Sequence, residues 1–512
     1  MVRALRGLPA AIGLAAGLLW ATPLLAGQAA SAVSEHVFSV GLSRIAETYL
    51  KPVDLAQLTV NGLNGLHSLD PAVSVQREGS RFSLRSHGAV IAEFSAPASL
   101  DATGLASLAS RIVERARALS PTLRQASAEE IYAAVFDRIM GDLDGYSRYT
   151  GANKAVNERA QREGYGGIGI ELEERKARPV VVEVVPHSPA SRAGIRVGDA
   201  ILSVDGERAD RMPLRDLSER LRGPSGSSIA VSFASDGGQP RRVSLRRERV
   251  IHNAVQLTVD GTVAVLKLER FNAATALNLR EAVESARAQI GPRMQGLVLD
   301  LRGNPGGLLD QAVAVADLFI PAGRIISTIG RHPDSVQRFE ATSDDIAAGL
   351  PMVVLLDGRT ASASEIVAAA LQDSGRAVVV GASSFGKGSV QTVTRLPNDG
   401  ELLLTWSRIY APSGYTLHRQ GVTPTICTSR EQRDAAQVIG ELRAGQQAPP
   451  SLLAHWRAAA ADDDTALARL RETCPWKSHE AELDVQVAKR LLMDGPLYQR
   501  AVRMSMPMVA ER

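Results

Sequence analysis

The stretch PMVVLLDGRTASASEIVAAALQD, from Pro351 to Asp373, joins a short apolar run to an apolar pattern of helical period. The run before Asp-Gly predicts a buried strand, and the pattern from Ala363 onward predicts a helix. A serine at a helix start, such as Ser362, is an ordinary N-cap. The same position also directs backbone N–H groups and the positive helix end at an anion. The stretch therefore predicts a strand–turn–helix unit and leaves two interpretations of Ser362 open, cap or nucleophile.

Similar units surround this stretch along the chain. Apolar runs of four to six residues alternate with helical patterns over residues 251–425, which is typical of buried strands in a layered α/β core. Residues 164–250 read as a compact block of short strands with closely spaced turn signals, and residues 33–163 as mainly helical with a small β insertion. Residues 426–512 read as a helical tail. We therefore expect a multidomain α/β protein.

The composition and the N-terminus predict an exported, folded protein. The 512 residues are 45% hydrophobic, and the net charge of +3 gives no argument for a nucleic-acid partner. Residues 1–32 resemble a signal peptide, with a basic start, an apolar stretch at residues 7–26 and small residues at Ala30-Ser31-Ala32. An uncleaved membrane anchor is the alternative, because the apolar stretch is about long enough to span a bilayer. We predict a periplasmic or other extracytoplasmic location.

The chain has two cysteines, Cys427 and Cys474. In an oxidising compartment they would form a disulfide, and the alternative is a pair of buried free thiols.

A scarce lysine supplies a candidate base. Only seven of the 58 basic residues are lysines, and Lys387 lies 25 residues after Ser362 in SSFGKGSVQ. A lysine accepts a proton only when it is neutral, and burial against apolar strands favours that form. The phosphate-loop spacing is not met, and none of the nine histidines belongs to a recognisable triad motif. Lysine is therefore the candidate partner of the serine.

Four segments, in this order, resemble the carboxyl-terminal processing proteases, also called tail-specific proteases. They are GYGGIGIEL with SPASRAGIRVGDAILSVDG, then GLVLDLRGNPGGLLDQAV, TASASEIVAAALQD and SSFGKGSVQ. The resemblance covers roughly residues 38–425. It implies a crotonase-like α/β protease core at 251–425 and a PDZ domain at 164–250, and it offers no counterpart for the tail.

The resemblance also implies roles for single residues. Ser362 matches the nucleophile, Lys387 the general base, and Gln391 the residue that orients the lysine. The backbone N–H groups of Ala363 and of either Gly306 or Gly307 would form the oxyanion hole. No metal and no cofactor is implied.

For the PDZ block, the resemblance implies a glycine loop that receives a terminal carboxylate and a helix that forms one wall of a groove. The substrate-binding candidates are Gly167, Ile168, Gly169, Ile170, Leu217 and Leu221. Leucines at helical spacing are more often core residues, which is the alternative for the last two.

Together these features predict an exported serine endopeptidase that acts on protein substrates with apolar C-termini. The alternative is a PDZ-containing adaptor or chaperone with a silent peptidase site. A homodimer, an adaptor protein and membrane association through residues 7–26 are further predictions.

Overall fold

We analysed a computed structural model, which describes residues 22–430, 433–445, 450–476 and 481–505. Most of the predicted signal peptide therefore lies outside the described residues. Within them, no helix combines the length and the apolar character needed to cross a membrane. The chain divides into two compact units: the first contains the residues up to 155 together with 392–404, and the second contains the rest.

The first unit packs helices around a small antiparallel sheet. Its helices are α1 (Thr22–Thr48), α2 (Leu55–Leu63), α3 (Ala102–Leu119), α4 (Pro121–Gln125) and α5 (Ala128–Leu143), and its strands are β1 (Val73–Glu78), β2 (Arg81–Ser86), β3 (Ala89–Ser95) and β4 (Arg148–Thr150). The first three strands pair in chain order, and Gly79 and Gly88 turn the chain between them with φ of +60° and +80°. β4 pairs with Glu401–Leu403.

The second unit begins with a strand-rich block. Its elements are helices α6 (Ala152–Glu163), α7 (Pro189–Arg192) and α8 (Leu214–Leu221), and strands β5 (Tyr165–Gly167), β6 (Ile170–Arg175), β7 (Arg178–Val184), β8 (Ala200–Val204), β9 (Glu207–Arg208), β10 (Ser228–Ala234), β11 (Arg241–Arg246) and β12 (Glu248–Val250). The main sheet has the order β11-β10-β8-β7-β6, so β6 is an edge strand. This strand edge lies beside α8.

The large sheet of the second unit places the strand–turn–helix stretch at its centre. Its elements are β13 (Val255–Asp260), β14 (Val263–Leu268), α9 (Thr275–Ile290), β15 (Gly296–Asp300), α10 (Leu309–Asp317), β18 (Met352–Leu356), α11 (Ala363–Asp373), β19 (Val378–Gly381) and β22 (Ile426–Cys427). The order is β13-β14-β15-β18-β19-β22, parallel from β14 onward. All residues of β15 and β18 are buried, as their continuous apolar runs predict.

A second sheet contains β16 (Arg324–Gly330), β17 (Gln337–Glu340), β20 (Ser389–Arg395) and β21 (Glu401–Tyr410). Within the second unit, β16 pairs with β17 and with the end of β21. The first half of β20 continues directly from the loop that contains Lys387.

The tail helices complete the core. They are α12 (Ala435–Ala444), α13 (Pro450–Ala458), α14 (Asp464–Thr473), α15 (Ala481–Leu492) and α16 (Gly495–Ser505). Alternate strand residues face opposite sides: Val354 packs in the cluster that includes α9, α10 and α11, and Val353 packs in the cluster that includes α12, α15 and α16. The tail therefore supplies one of the two helical layers that a parallel sheet requires.

A buried ion network fastens the tail to the sheet. Arg302, just after β15, contacts Asp300 at 2.7 Å and Asp484 of α15 at 3.0 Å. Burial alone would raise the pKa of Asp300, but Arg302 and Lys267 hold it below its ordinary value. A disulfide also joins Cys427, at the end of β22, to Cys474 at the end of α14.

Candidate active site

Ser362 lies at a sharp turn between β18 and α11. It is half-buried and has φ of +58° and ψ of −116°, a conformation that L-residues other than glycine rarely adopt. Strain of this kind costs on the order of 1–3 kcal/mol and persists only where the surroundings impose it. Serine nucleophiles of other enzymes occupy similar strained strand-to-helix turns, although the G-x-S-x-G motif is missing here. The backbone therefore distinguishes Ser362 from an ordinary helix cap.

The glycine turn after β15 packs directly against this serine. Gly306 has φ of +98°, and a methyl group added to it would lie 2.9 Å from Ser362 Cβ and 2.7 Å from the carbonyl oxygen of Ala361. Only glycine fits such a close approach at positive φ. The Ala361 N–H also donates to the carbonyl of Asn304 at 3.0 Å. The two turns thus form one rigid surface.

The two other hydroxyls of the stretch hold this surface together. Thr360 and Ser364 are fully buried, and their side chains donate to the carbonyls of Leu301 (3.0 Å) and Asn304 (3.1 Å). Both hydroxyls therefore face the glycine turn and support it.

The structure separates the two candidate glycine donors. The N–H of Gly306 donates to the side chain of Asn304 at 2.8 Å. Two backbone hydrogen bonds join this turn to Phe271: the Phe271 N–H donates to the Gly306 carbonyl, and the Leu308 N–H donates to the Phe271 carbonyl. Neither bond involves the Gly307 N–H. Ala363 occupies the first position of α11, where a backbone N–H has no partner within the helix.

Glu365 connects the serine turn with the lysine loop. This carboxylate is fully buried, and its Oε2 accepts the Ser362 N–H at 2.7 Å and the Lys387 N–H at 2.9 Å. Its Oε1 accepts the Gly386 N–H at 2.7 Å and the Ser384 hydroxyl at 2.5 Å. Burial raises the pKa of Glu365, and these four hydrogen bonds oppose that rise. Each oxygen of this buried side chain therefore accepts two hydrogen bonds.

Lys387 and Gln391 are both half-buried, and Gln391 lies on β20 four residues after the lysine. Its side-chain nitrogen is buried and has no hydrogen-bond partner among the described residues. A buried amide in this state can serve a group that binds nearby.

A separate pocket of about 180 Å³ lies between β6 and α8. Its lining includes Ile168, Gly169, Ile170 and Leu221 of the substrate-binding candidates. The other two candidates lie elsewhere. Leu217 is fully buried in the hydrophobic core of the block, and Gly167 pairs with Glu248.

Polar and aromatic side chains complete the lining of this pocket. The Arg222 guanidinium lies 4.6 Å from the ring centre of Tyr165, and His252 lines the same pocket at 3.6 Å from the Glu183 carboxylate. Burial raises the pKa of Tyr165, and Arg222 opposes the rise. The pocket thus combines apolar side chains with polar and charged ones, among them Glu171 and Arg222, and the Arg222 cation suits a terminal carboxylate.

Comparison with known proteins identifies two domains in this chain. The chain matches the family model of peptidase family S41 over residues 262–428 and that of a PDZ domain over residues 180–234. It is 40% identical over 287 residues to the carboxy-terminal-processing protease of Bartonella bacilliformis, with coverage of 56% of this chain and 66% of that protein.

This chain therefore contains a peptidase domain of family S41 and a PDZ domain.

Other S41 relatives are more distant. A probable CtpA-like serine protease of Staphylococcus saprophyticus is 31% identical over 307 residues, which cover 59% of this chain and 61% of that protein. The solved photosystem II D1 C-terminal processing protease is 25% identical, with coverage of 76% of this chain and 92% of that chain and a TM-score of 0.37. The chain spans just under two thirds of the length of the curated relatives it matches.

Sequence reasoning missed Glu365 of this S41 site. A signal was present, because Ser362 and Glu365 have the S-x-x-E spacing of a capping box. The motif predicts the contact to the Ser362 N–H, but it does not predict the second contact to a loop 22 residues away.

Proposed function

We propose that this chain is an exported serine endopeptidase that recognises C-terminal tails through its PDZ domain and cleaves by a Ser/Lys acyl-enzyme mechanism. One observation supports this most directly: a single carboxylate oxygen of Glu365 accepts the backbone N–H groups of both Ser362 and Lys387. The two residues that the mechanism requires are therefore held side by side by one buried group. A chain without this chemistry would not need that arrangement.

In the proposed mechanism, neutral Lys387 accepts the proton of the Ser362 hydroxyl as the oxygen attacks the peptide carbonyl. The resulting ammonium then donates a proton to the leaving amine, and the acyl-enzyme forms. Lys387 next accepts a proton from the water that attacks the ester, and it returns this proton to Ser362 Oγ as the ester bond breaks and the shortened product is released. Gln391 would orient the lysine through its side-chain amide.

The oxyanion that forms in both steps needs two hydrogen-bond donors in a site shielded from water. We assign Ala363 N–H as one donor. Of the two glycines, Gly307 is favoured as the second, because the Gly306 N–H already donates to Asn304. Gly306 would instead allow the close approach of the two turns.

The PDZ domain would select the substrate. An extended peptide could add to the free edge of β6, with its carboxylate near the amides of Ile168–Ile170 and its last side chain against Leu221. The lining mixes apolar and polar side chains, and its apolar members Ile168, Ile170 and Leu221 support the prediction of substrates with apolar C-termini. Homodimerisation and an adaptor protein remain predictions.

The location and fold class also belong to this proposal. The disulfide between Cys427 and Cys474 supports an oxidising, extracytoplasmic compartment. Membrane association through residues 7–26 stays a prediction, and most of that segment, residues 7–21, lies outside the described residues. The large sheet with its helices on both faces would be a crotonase-like protease core, followed by a helical tail.

The direct test uses a reporter protein with an apolar C-terminal tail. We expect Ser362→Ala and Lys387→Ala each to abolish cleavage while the circular dichroism spectrum and the melting temperature stay close to those of the wild type. Matched controls are Ser374→Ala, at the opposite end of α11, and the exposed Lys51→Ala. Full cleavage by either site variant would refute the assignment. Binding of the tail without cleavage by the wild type would favour the adaptor or chaperone.

A further inference from the structure

The loop that contains Lys387 is held from two sides. On the inner side, Glu365 accepts the N–H groups of Gly386 and Lys387. On the outer side, the Arg419 N–H donates to the Gly386 carbonyl at 2.8 Å. The outer contacts come from the segment around Arg419 and from the C-terminal tail, to which the proposed mechanism gives no role.

One tail arginine spans this outer side. Arg471 of α14 donates through Nη2 to the carbonyl of Phe385 at 3.3 Å and to the carbonyl of Arg419 at 2.6 Å. A methyl group added to Gly386, which has φ of +92°, would lie 3.0 Å from that nitrogen. The guanidinium thus packs against the backbone immediately before Lys387.

Several contacts at the end of α14 hold this helix next to the lysine loop. Cys474, three residues after Arg471, forms the disulfide with Cys427, and its carbonyl accepts the Ser383 hydroxyl at 2.8 Å. The Arg430 guanidinium donates to the carbonyl of Thr473 at 2.5 Å. The end of α14 is therefore tied both to the large sheet and to the lysine loop.

The preceding helix adds a second attachment. Trp456 of α13 is buried, and its indole N–H donates to the Gly421 carbonyl at 3.4 Å. The side-chain amide of Gln420 donates to the carbonyl of Trp456. Two helices of the tail thus hold the segment around residues 419–421, which in turn contacts Gly386.

We propose that Arg471 is a positioning residue for Lys387, through which the C-terminal tail sets the geometry of the base. This inference rests on the proposed Ser/Lys function. A guanidinium suits the task because Nη2 carries two hydrogens and can donate to two carbonyls from different segments at once. The two groups of tail helices pack differently: α12, α15 and α16 cover one face of the sheet, whereas Trp456 of α13 lies in the cluster on the other face and Leu470 of α14 packs against that cluster.

The test compares Arg471→Ala, Arg471→Lys and the control Arg469→Ala, an exposed arginine on the same helix, all in the full chain. We expect Arg471→Ala to lower kcat on the order of 10- to 100-fold, the effect of misplacing a catalytic group by about 1 Å. KM should change by less than about threefold, because the substrate groove is untouched. Arg471→Lys should recover part of kcat, since an ammonium can bond one of the two carbonyls.

Hydrogen–deuterium exchange provides a readout that does not depend on activity. In Arg471→Ala we expect faster exchange at residues 383–390, with α15 and α16 unchanged. An unchanged kcat, an equal loss in Arg469→Ala, or faster exchange spread over all the tail helices would each overturn the proposal. If the wild type cleaves nothing, the peptidase function fails, while the exchange comparison still decides whether Arg471 orders the loop.

Discussion

Replacement of Glu365 by glutamine is the sharpest test of how the site is assembled. The substitution keeps the shape of the side chain and turns one acceptor oxygen into an NH₂ group. That group would face two donors, either the N–H groups of Ser362 and Lys387 or the Gly386 N–H and the Ser384 hydroxyl. In the first orientation two buried N–H groups would lose their acceptor; in the second only the Gly386 N–H would, because the Ser384 hydroxyl can also accept a hydrogen bond.

The magnitude follows from that count. A buried donor without a partner costs roughly 1–3 kcal/mol. The amide should take the orientation that leaves only the Gly386 N–H without an acceptor, so we expect a loss of about 2 kcal/mol in unfolding free energy. Separation of the two loops should lower kcat on the order of 100-fold. In Glu365→Asp the carboxylate is drawn back by about 1.5 Å and should give an intermediate kcat.

The assay measures kcat and KM on the tailed reporter and the denaturation midpoint for each variant. Glu281→Gln, an exposed position on α9, is the matched control. A folded Glu365→Gln variant that keeps kcat within about threefold of the wild type would refute the claim that this carboxylate holds the two loops together.

Three further outcomes are expected. Gly306→Ala should lower kcat on the order of 100-fold, because its methyl group collides with the serine turn that positions the oxyanion donors, and a wild-type rate would contradict the close approach. Replacing Cys427 and Cys474 together by alanine should lower the unfolding free energy by about 2–4 kcal/mol, as measured in denaturant, for a sequence separation of 47 residues. Arg302 keeps the pKa of Asp300 low, so the ionised Asp300 should stabilise the fold fully at neutral pH and progressively less as the pH falls below about 4. In a plot of melting temperature against pH, Asp300→Asn should therefore flatten the decrease on the acid side.

Local patterns in the sequence determined much of this protein. The apolar run before Asp-Gly became the fully buried β18, and the helical pattern after it became α11. Ser362 and Ser364 also occupy different surroundings, because Ser362 lies at the strained turn and Ser364 is fully buried. These features depend on neighbours along the chain, which a single sequence displays.

Only the tertiary structure decided which distant groups meet. In the folded chain the Glu365 side chain accepts the N–H of Lys387, 22 residues away. The Gly306 N–H donates to the side chain of Asn304, and Leu217 packs in the core of the PDZ domain. The tertiary structure also placed Arg471 against the carbonyls beside Lys387. No periodicity or motif in the sequence predicts these contacts, because each depends on how separate elements pack against one another. Sequence therefore predicted the candidate nucleophile and base, and the packing of the chain determined what holds them together.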